Sequence, residues 1–246
     1  MSLRAALQLF LDEYPKAKEE AFKNNPVADF IRNDVAEEIR RVLNVGERYR
    51  VEGSPGKGNW AQVPWAAVFD RLITESAQEG YYLVYLVRED YSGIFLSLNQ
   101  GITESRRAYG VDAKQALRAR ASDFRARLGD LPEDYTPGPI DLRVQATGSL
   151  GAFYEQGSVC SKYYPQDDVP EDDILERDLR DMLDLYLRLS SSETLTRAGA
   201  AEDDDEQGLL EEDLRRLREH KRVERNRALA ARVKKVRGHT FEAFDF

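Results

Sequence analysis

The chain has 246 residues, of which 41% are hydrophobic and 33% are charged, and its formal net charge is −9. That length is enough to bury one or two hydrophobic cores, while no apolar run approaches the roughly 20 residues that a membrane-spanning helix needs. The negative charge argues against a general basic coat for nucleic acid, although it leaves room for a local basic site.

The N-terminal part of the chain predicts two amphipathic helices and a strand. Apolar residues recur at helical spacing over residues 3–22 and again over 27–43, with an Asn-Asn-Pro break between them. Residues 48–51 predict a short strand that leads into a loop with three glycines, two prolines and both tryptophans. We call residues 53–65 the Gly/Trp segment.

The middle of the chain predicts a sheet. Residues 81–87 form a continuous apolar run that indicates a central strand buried on both faces, and residues 94–98 return as its hairpin partner. Residues 140–146 alternate between apolar and polar, which predicts a half-buried strand, and residues 158–164 are β-like. Between these two predicted strands, residues 148–157 contain three glycines and are interpreted as a loop.

The remaining segments predict helices and a linker. Residues 112–128 predict a helix whose lysine and arginine residues are interpreted as a solvated face, and residues 171–190 predict a further amphipathic helix. Residues 191–208 include five consecutive acids and predict a linker, whereas residues 209–237 predict a basic helical arm. Together these elements predict an α+β fold, in which a small, curved, mainly antiparallel sheet is flanked by helices and followed by an acidic linker and a basic C-terminal helix.

The Gly/Trp segment is the strongest candidate for a functional surface that binds a ligand. Glycine allows close approach of a ligand, proline stiffens the chain, and tryptophan supplies a flat apolar face with one N–H donor. A β-turn tucked under a tryptophan is the structural alternative. The segment is neither a phosphate-binding P-loop nor a dinucleotide fingerprint, because its glycine spacing fails the first and Pro64 blocks the helix that the second requires.

The content of cysteine and histidine limits the remaining chemistry. Cys160 is the single cysteine, so an internal disulfide is excluded, and the two histidines both lie in the last 30 residues. No signal peptide is expected at the N-terminus. These features predict a cytoplasmic protein with no membrane contact, no metal site and no cofactor.

Four separated blocks of sequence resemble the MrcB-like N-terminal domain, the DNA-binding domain of methyl-directed (type IV) McrB-like restriction systems. The blocks occur in the expected order, at residues 53–70, 80–87, 94–101 and 153–164. The resemblance covers residues 1–190 and implies a reader of duplex DNA that carries modified cytosine, with base flipping as one way to inspect the base. The implied DNA-binding residues are Ser54, Lys57, Asn59, Trp60, Gln62, Trp65, Asn99, Gln100, Tyr154 and Lys162.

The roles within this set follow from side-chain chemistry. Trp60, Trp65 and Tyr154 are expected to stack on a base, although a core role for Trp65 is an equal alternative. The amides of Asn59, Gln62, Asn99 and Gln100 are expected to read base edges, and Lys57 and Lys162 to contact phosphates.

The C-terminal residues 238–246 resemble the start of an HNH nuclease domain. Phe241 and Phe244 stand where two zinc-ligating cysteines are expected, and phenylalanine cannot bind zinc. The sequence therefore predicts no catalytic residues in this chain, and a nuclease would be supplied by a separate chain or be lost. A modification-dependent nuclease subunit and a protein-interaction domain that uses the Gly/Trp segment are the alternative functions.

Overall fold

In the computed structural model, residues 1–200 are described, with side chains through residue 192. The chain opens with helix α1 (Leu3–Ala17), which begins where the Ser2 hydroxyl accepts a hydrogen bond from the Ala5 N–H. Helix α2 (Pro26–Phe30) continues through a π-helical segment, Ile31–Val35, into α3 (Ala36–Leu43). The prediction of a helix over 27–43 is confirmed, and α1 is five residues shorter than predicted.

Six strands form one open, curved, antiparallel sheet within the described residues, which confirms the predicted α+β class. Its order is β1-β2-β3-β4-β6-β5. The strands are β1 (Tyr49–Gly56), β2 (Trp60–Asp70), β3 (Tyr81–Val87), β4 (Gly93–Gln100), β5 (Thr136–Pro137) and β6 (Cys160–Pro165). Every residue of β3 is buried, as its continuous apolar run predicts.

Four more helices follow β4 in the described part of the chain. They are α4 (Ile102–Tyr109), α5 (Ala113–Leu128), α6 (Leu150–Gly157) and α7 (Asp172–Ala200). The helix predicted over 112–128 is confirmed as α5, whereas α4 has no counterpart among the predicted elements. Helix α7 extends ten residues beyond its predicted end at 190, into the segment predicted to be a linker.

The sheet has a hydrophobic cluster on each face, because successive side chains of a strand point to opposite sides. On the first face, side chains of β3 such as Leu83 pack with Phe10 of α1, Ile39 of α3 and Leu179 of α7. On the second face, residues such as Val84 pack with side chains from α4, α5 and α6.

Three predicted elements are wrong. The Gly/Trp segment is not a loop but the β1–β2 hairpin, and only Lys57, Gly58 and Asn59 lie between the two strands. Residues 140–146 form no strand, and residues 150–157 of the predicted loop form α6. Helix α6 begins at Ser149, whose hydroxyl accepts a hydrogen bond from the Ala152 N–H.

Residues 1–195 form one compact unit, and the second unit, Thr196–Phe246, lies almost entirely outside the described residues. The predicted basic arm at 209–237, the nuclease-like residues 238–246 and all five consecutive acids of the predicted linker lie outside the described part as well.

Candidate nucleic-acid interface

A pocket of about 730 Å³ opens on the second face, at the end of the sheet formed by β1 and β2. Its walls come from segments that are far apart in sequence. Strand β1 contributes Arg50, Glu52 and Ser54, and strand β2 contributes Trp65. The opposite side is closed by the first residues of α4, Ile102 and Thr103, by Leu150 and Tyr154 of α6, and by the loop residues 75–78.

Trp65 and Tyr154 lie side by side in this pocket. Trp65 is half-buried, and its ring meets Phe69 edge-on with the ring centres 6.3 Å apart. Burial raises the pKa of Tyr154 to about 12, and a hydrogen bond from the Trp65 side chain opposes that rise. The indole N–H therefore fixes the phenol, and a partly exposed aromatic plane remains available to a ligand.

The polar side chains of the pocket carry mixed charge. The Arg50 guanidinium donates to Glu52 Oε2 over 2.5 Å and to the Glu75 carbonyl over 3.1 Å. Arg32, at the rim, donates to Asp29 over 2.8 Å. Lys57 at the hairpin tip is exposed and has no ion-pair partner among the described residues. The rim at Lys57 therefore offers an unpaired cation next to the aromatic wall.

The hairpin that carries Lys57 is anchored to α1 from the first face. The Tyr14 hydroxyl donates to the carbonyl oxygens of Pro55, over 2.7 Å, and of Ala61, over 2.8 Å. The Trp60 indole N–H donates to the Glu20 carbonyl over 2.9 Å, and its ring meets those of Tyr14 and Phe22 edge-on. Trp60 is thus part of the anchor of the hairpin.

The tip and the base of this hairpin both require glycine. Gly56 has φ +132°, and a Cβ there would lie 2.0 Å from the Asn59 carbonyl oxygen across the turn. At Gly53 a Cβ would lie 1.8 Å from the carbonyl oxygen of Ile31, in the π-helical segment. Strand β1 therefore approaches the helix backbone more closely than any side chain allows.

The structure brings together four of the residues predicted to bind DNA, namely Ser54, Lys57, Trp65 and Tyr154, which all line the pocket. Asn59 and Gln62 are exposed on the same hairpin but do not line it. Trp60 packs on the first face, so the two tryptophans do not share a surface.

Asn99 and Gln100 are fully buried and serve the protein's own backbone. The Asn99 amide donates to the Tyr154 carbonyl, and the Gln100 amide donates to the carbonyls of Leu117 and Gly157. These bonds tie β4 to α5 and α6. A base edge cannot reach either amide in this structure.

Lys162 is held in an ion-pair network on the first face. Its ammonium lies 2.5 Å from Asp134 Oδ2 and 2.8 Å from Asp178 Oδ2, and the Asp178 side chain is only 1% exposed. Burial lowers the pKa of Lys162, but the hydrogen bonds to both carboxylates outweigh it, so the pKa is raised overall. The charge of Lys162 is thus compensated within the protein.

Several pocket residues were missed by sequence reasoning, among them Arg32, Arg50, Thr103 and Leu150. The predicted strand ended at residue 51. Extending it to residue 54 would have grouped Arg50 with Ser54, because residues 50, 52 and 54 of one strand share a face. Thr103 and Leu150 gave no such signal, since α4 and α6 were not predicted. Among the described residues, no helix is long and apolar enough to span a membrane, and no group of three or more His, Cys, Asp or Glu is arranged to hold a metal ion.

Comparison with known families gives the same assignment as the four sequence blocks. The family model of the MrcB-like, N-terminal domain matches residues 10–191, which include every residue that lines the pocket. No curated protein matches the chain. The match spans well over half of the sequence, and the chain therefore belongs to the MrcB-like N-terminal domain family.

Proposed function

We propose that this chain is the DNA-binding module of a modification-dependent (type IV) restriction system, and that it recognises modified cytosine in duplex DNA. The observation that carries the proposal is the pocket beside Trp65 and Tyr154, within a domain of the McrB-like family. Its volume of about 730 Å³ falls in the range typical of small-molecule sites, roughly 300–1,000 Å³.

An extrahelical base is the ligand that suits this pocket. Flipping a base out of a duplex costs a few kcal/mol, and stacking on an aromatic side chain returns about 1–3 kcal/mol per base. Trp65 supplies the stacking plane, and the hydroxyl groups of Ser54 and Tyr154 are placed to bond a base edge. Contact between the pocket wall and the base makes an added methyl group detectable.

The hairpin tip supplies contacts outside the pocket. Lys57 is exposed and forms no ion pair among the described residues, which suits a phosphate, and Asn59 and Gln62 are exposed on the same hairpin. We leave Trp60, Asn99, Gln100 and Lys162 out of the contact set, because each is engaged within the protein. A nuclease chain is the expected partner, and the cytoplasm is the expected compartment.

The test is a competition titration with a short duplex that contains one 5-methylcytosine, against an identical unmodified duplex, at two salt concentrations. Tighter binding to the methylated duplex that persists at the higher salt supports the proposal. Equal binding to both duplexes, or no binding at low salt, contradicts it. A 2-aminopurine placed next to the 5-methylcytosine tests flipping, because its fluorescence rises when the neighbouring base leaves the stack.

The two tryptophans provide a matched pair of variants. Trp65→Ala removes the stacking plane, so the preference for the methylated duplex is expected to fall by roughly 5- to 150-fold, equivalent to 1–3 kcal/mol. Trp60→Phe loses the hydrogen bond to Glu20, so it should lower the melting temperature but keep the preference. A Trp65→Ala protein that keeps the full preference would contradict the assigned stacking role.

A further inference from the structure

Helices α4 and α5 carry a local excess of positive charge in an acidic chain. Between Ile102 and Leu128 there are seven basic residues and three acidic ones, whereas the whole chain has a formal net charge of −9. A charged helix face is ordinarily a solvated surface, and this explanation fits Arg120, which pairs with Glu104 at 4.0 Å. Three other cations of these helices behave differently.

Arg106, Lys114 and Arg118, which we call the basic strip, contact α6 and the loop before it and form no salt bridge within the described residues, although Lys114 also acts electrostatically on Glu155 of α6. The Arg106 guanidinium lies 5.0 Å from the centre of the Phe153 ring, and the Lys114 ammonium lies 5.1 Å from the same point. Lys114 donates to the Thr147 carbonyl, and Arg118 donates to the side-chain oxygen of Gln156. Each of these direct partners is uncharged, so the positive charge of the strip is offset in part, by the Glu155 carboxylate near Lys114.

This arrangement places like charges close together. Two cations about 5 Å from one ring centre are at most about 10 Å apart, which is within one Debye length at 0.1 M salt. The Glu155 carboxylate acts on Lys114 and relieves this repulsion in part. An external anion bound beside the cations would relieve the remainder, and their contacts with the Phe153 ring and the Thr147 carbonyl hold them in place for one.

The strip lies on the other side of α6 from the pocket. Leu150 and Tyr154 line the pocket, while Phe153 and Gln156 of the same helix contact the strip. An α-helix with its side chains is about 10–12 Å wide, and consecutive phosphates of one strand are about 3.4 Å apart along the duplex axis. The width of a helix therefore corresponds to about three base-pair steps along a duplex.

We propose that the basic strip binds the phosphate backbone of the duplex whose modified base occupies the pocket, a few base pairs from that base. This inference rests on the proposed function and adds a second contact to it. The strip contributes affinity and register without reading sequence or modification, because phosphate contacts carry no base information.

The experiment measures the affinity of the full chain for methylated and unmodified duplexes over a series of salt concentrations. Each phosphate contact contributes about 0.9 to the slope of log K against log salt concentration. The triple variant Arg106→Gln, Lys114→Gln, Arg118→Gln should reduce that slope by about 2–3 and weaken both complexes by the same factor. The preference for the methylated duplex should stay unchanged.

Two further variants keep the test interpretable. Arg118→Gln alone removes one exposed side chain with a single hydrogen bond, so it should fold normally and reduce the slope by about 1. Arg180→Gln makes the same charge change on α7, which packs on the first face, and should leave the slope unchanged.

The possible outcomes separate this inference from the proposed function. If the wild-type protein prefers methylated DNA but the slope is unchanged in the triple and single variants, the proposed role of the basic strip is contradicted and the proposed function is not. If both duplexes bind equally and the slope falls in the variants, phosphate binding by the basic strip is supported and recognition of modified cytosine is contradicted. Absence of any DNA binding at low salt overturns both.

Discussion

Gly53 provides the sharpest quantitative test of how the pocket is built. A Cβ at this position would lie 1.8 Å from the carbonyl oxygen of Ile31, 2.6 Å from its carbonyl carbon and 3.2 Å from the Cα of Arg32. All three are backbone atoms, so no change of side-chain rotamer can make room. An ordinary carbon–oxygen contact is about 3.3 Å, so Gly53→Ala must move β1 roughly 1.5 Å away from the π-helical segment.

The expected cost follows from that displacement. Overpacking a well-filled interior costs about 1–3 kcal/mol, and a clash between two backbones belongs at the upper end. With about 3 kcal/mol lost, a protein of this size should melt roughly 6–12 °C lower. Because Ser54 follows Gly53 directly, the shift also moves a pocket wall, and affinity for the methylated duplex should fall with stability.

Thermal and urea unfolding followed by circular dichroism measure this effect. The matched control is Gly46→Ala, since a Cβ at Gly46 meets no atom within 4 Å and its φ is not positive. The control should remain within about 0.5 kcal/mol of the wild type, or gain slightly from reduced chain entropy. A Gly53→Ala protein as stable as the control would refute the close approach of β1 to the helix.

Two further substitutions test the contacts on the first face. Tyr14→Phe removes the donor for the carbonyls of Pro55 and Ala61, so urea unfolding should show a loss of about 1–3 kcal/mol, and a loss below 0.5 would contradict the anchoring role. Lys162→Met leaves the buried Asp178 with fewer partners and should cost about 3 kcal/mol at pH 7. The hydrogen bond from Lys162 lowers the pKa of Asp134, so the stability that this bond provides is present above about pH 4 and is lost as the pH falls further. The stability difference between wild type and Lys162→Met should therefore narrow below about pH 4, and a constant difference from pH 7 to pH 3 would contradict the coupling.

Sequence periodicity predicted the elements whose burial is regular. The run at 81–87 is apolar at every position because β3 is covered on both faces, and the helices at 27–43 and 112–128 show a clear apolar stripe. In each case the side chains that make the pattern are the ones that fill the core. The pattern and the packing therefore carry the same information.

The wrong predictions arose where tertiary contacts replace local preference. Residues 140–146 alternate like a strand, but Glu155 takes up their backbone donors: its carbonyl accepts from Ile140 and its carboxylate accepts from Leu142. Helix α6 forms despite its glycines, since Ser149 caps it and Tyr154 is buried against the sheet. The contacts of Glu155 and the burial of Tyr154 cannot be read from the nearby sequence, whereas the Ser149 cap is a local signal that the prediction missed.

The placement of the two tryptophans on opposite faces depends on an irregularity within the hairpin. Gly56 pairs with Trp60 and Ser54 pairs with Trp65, so two steps along β1 accompany five along β2 and strict alternation does not hold between the tryptophans. Spacing alone could not predict this shift. The predicted platform of two tryptophans is therefore divided into one tryptophan that anchors the hairpin and one that faces the pocket.

This division has a consequence for how recognition can vary. On the first face, Tyr14, Trp60 and Gly53 fix the hairpin through backbone contacts, which depend on the path of the chain rather than on the ligand. On the second face, Arg50 and Ser54 of β1 border the pocket. Substitutions at those two positions should change which base is accepted at little cost in stability. Substitutions on the first face should lower the stability without changing which base is accepted. A domain built in this way can keep its hairpin geometry while the pocket changes.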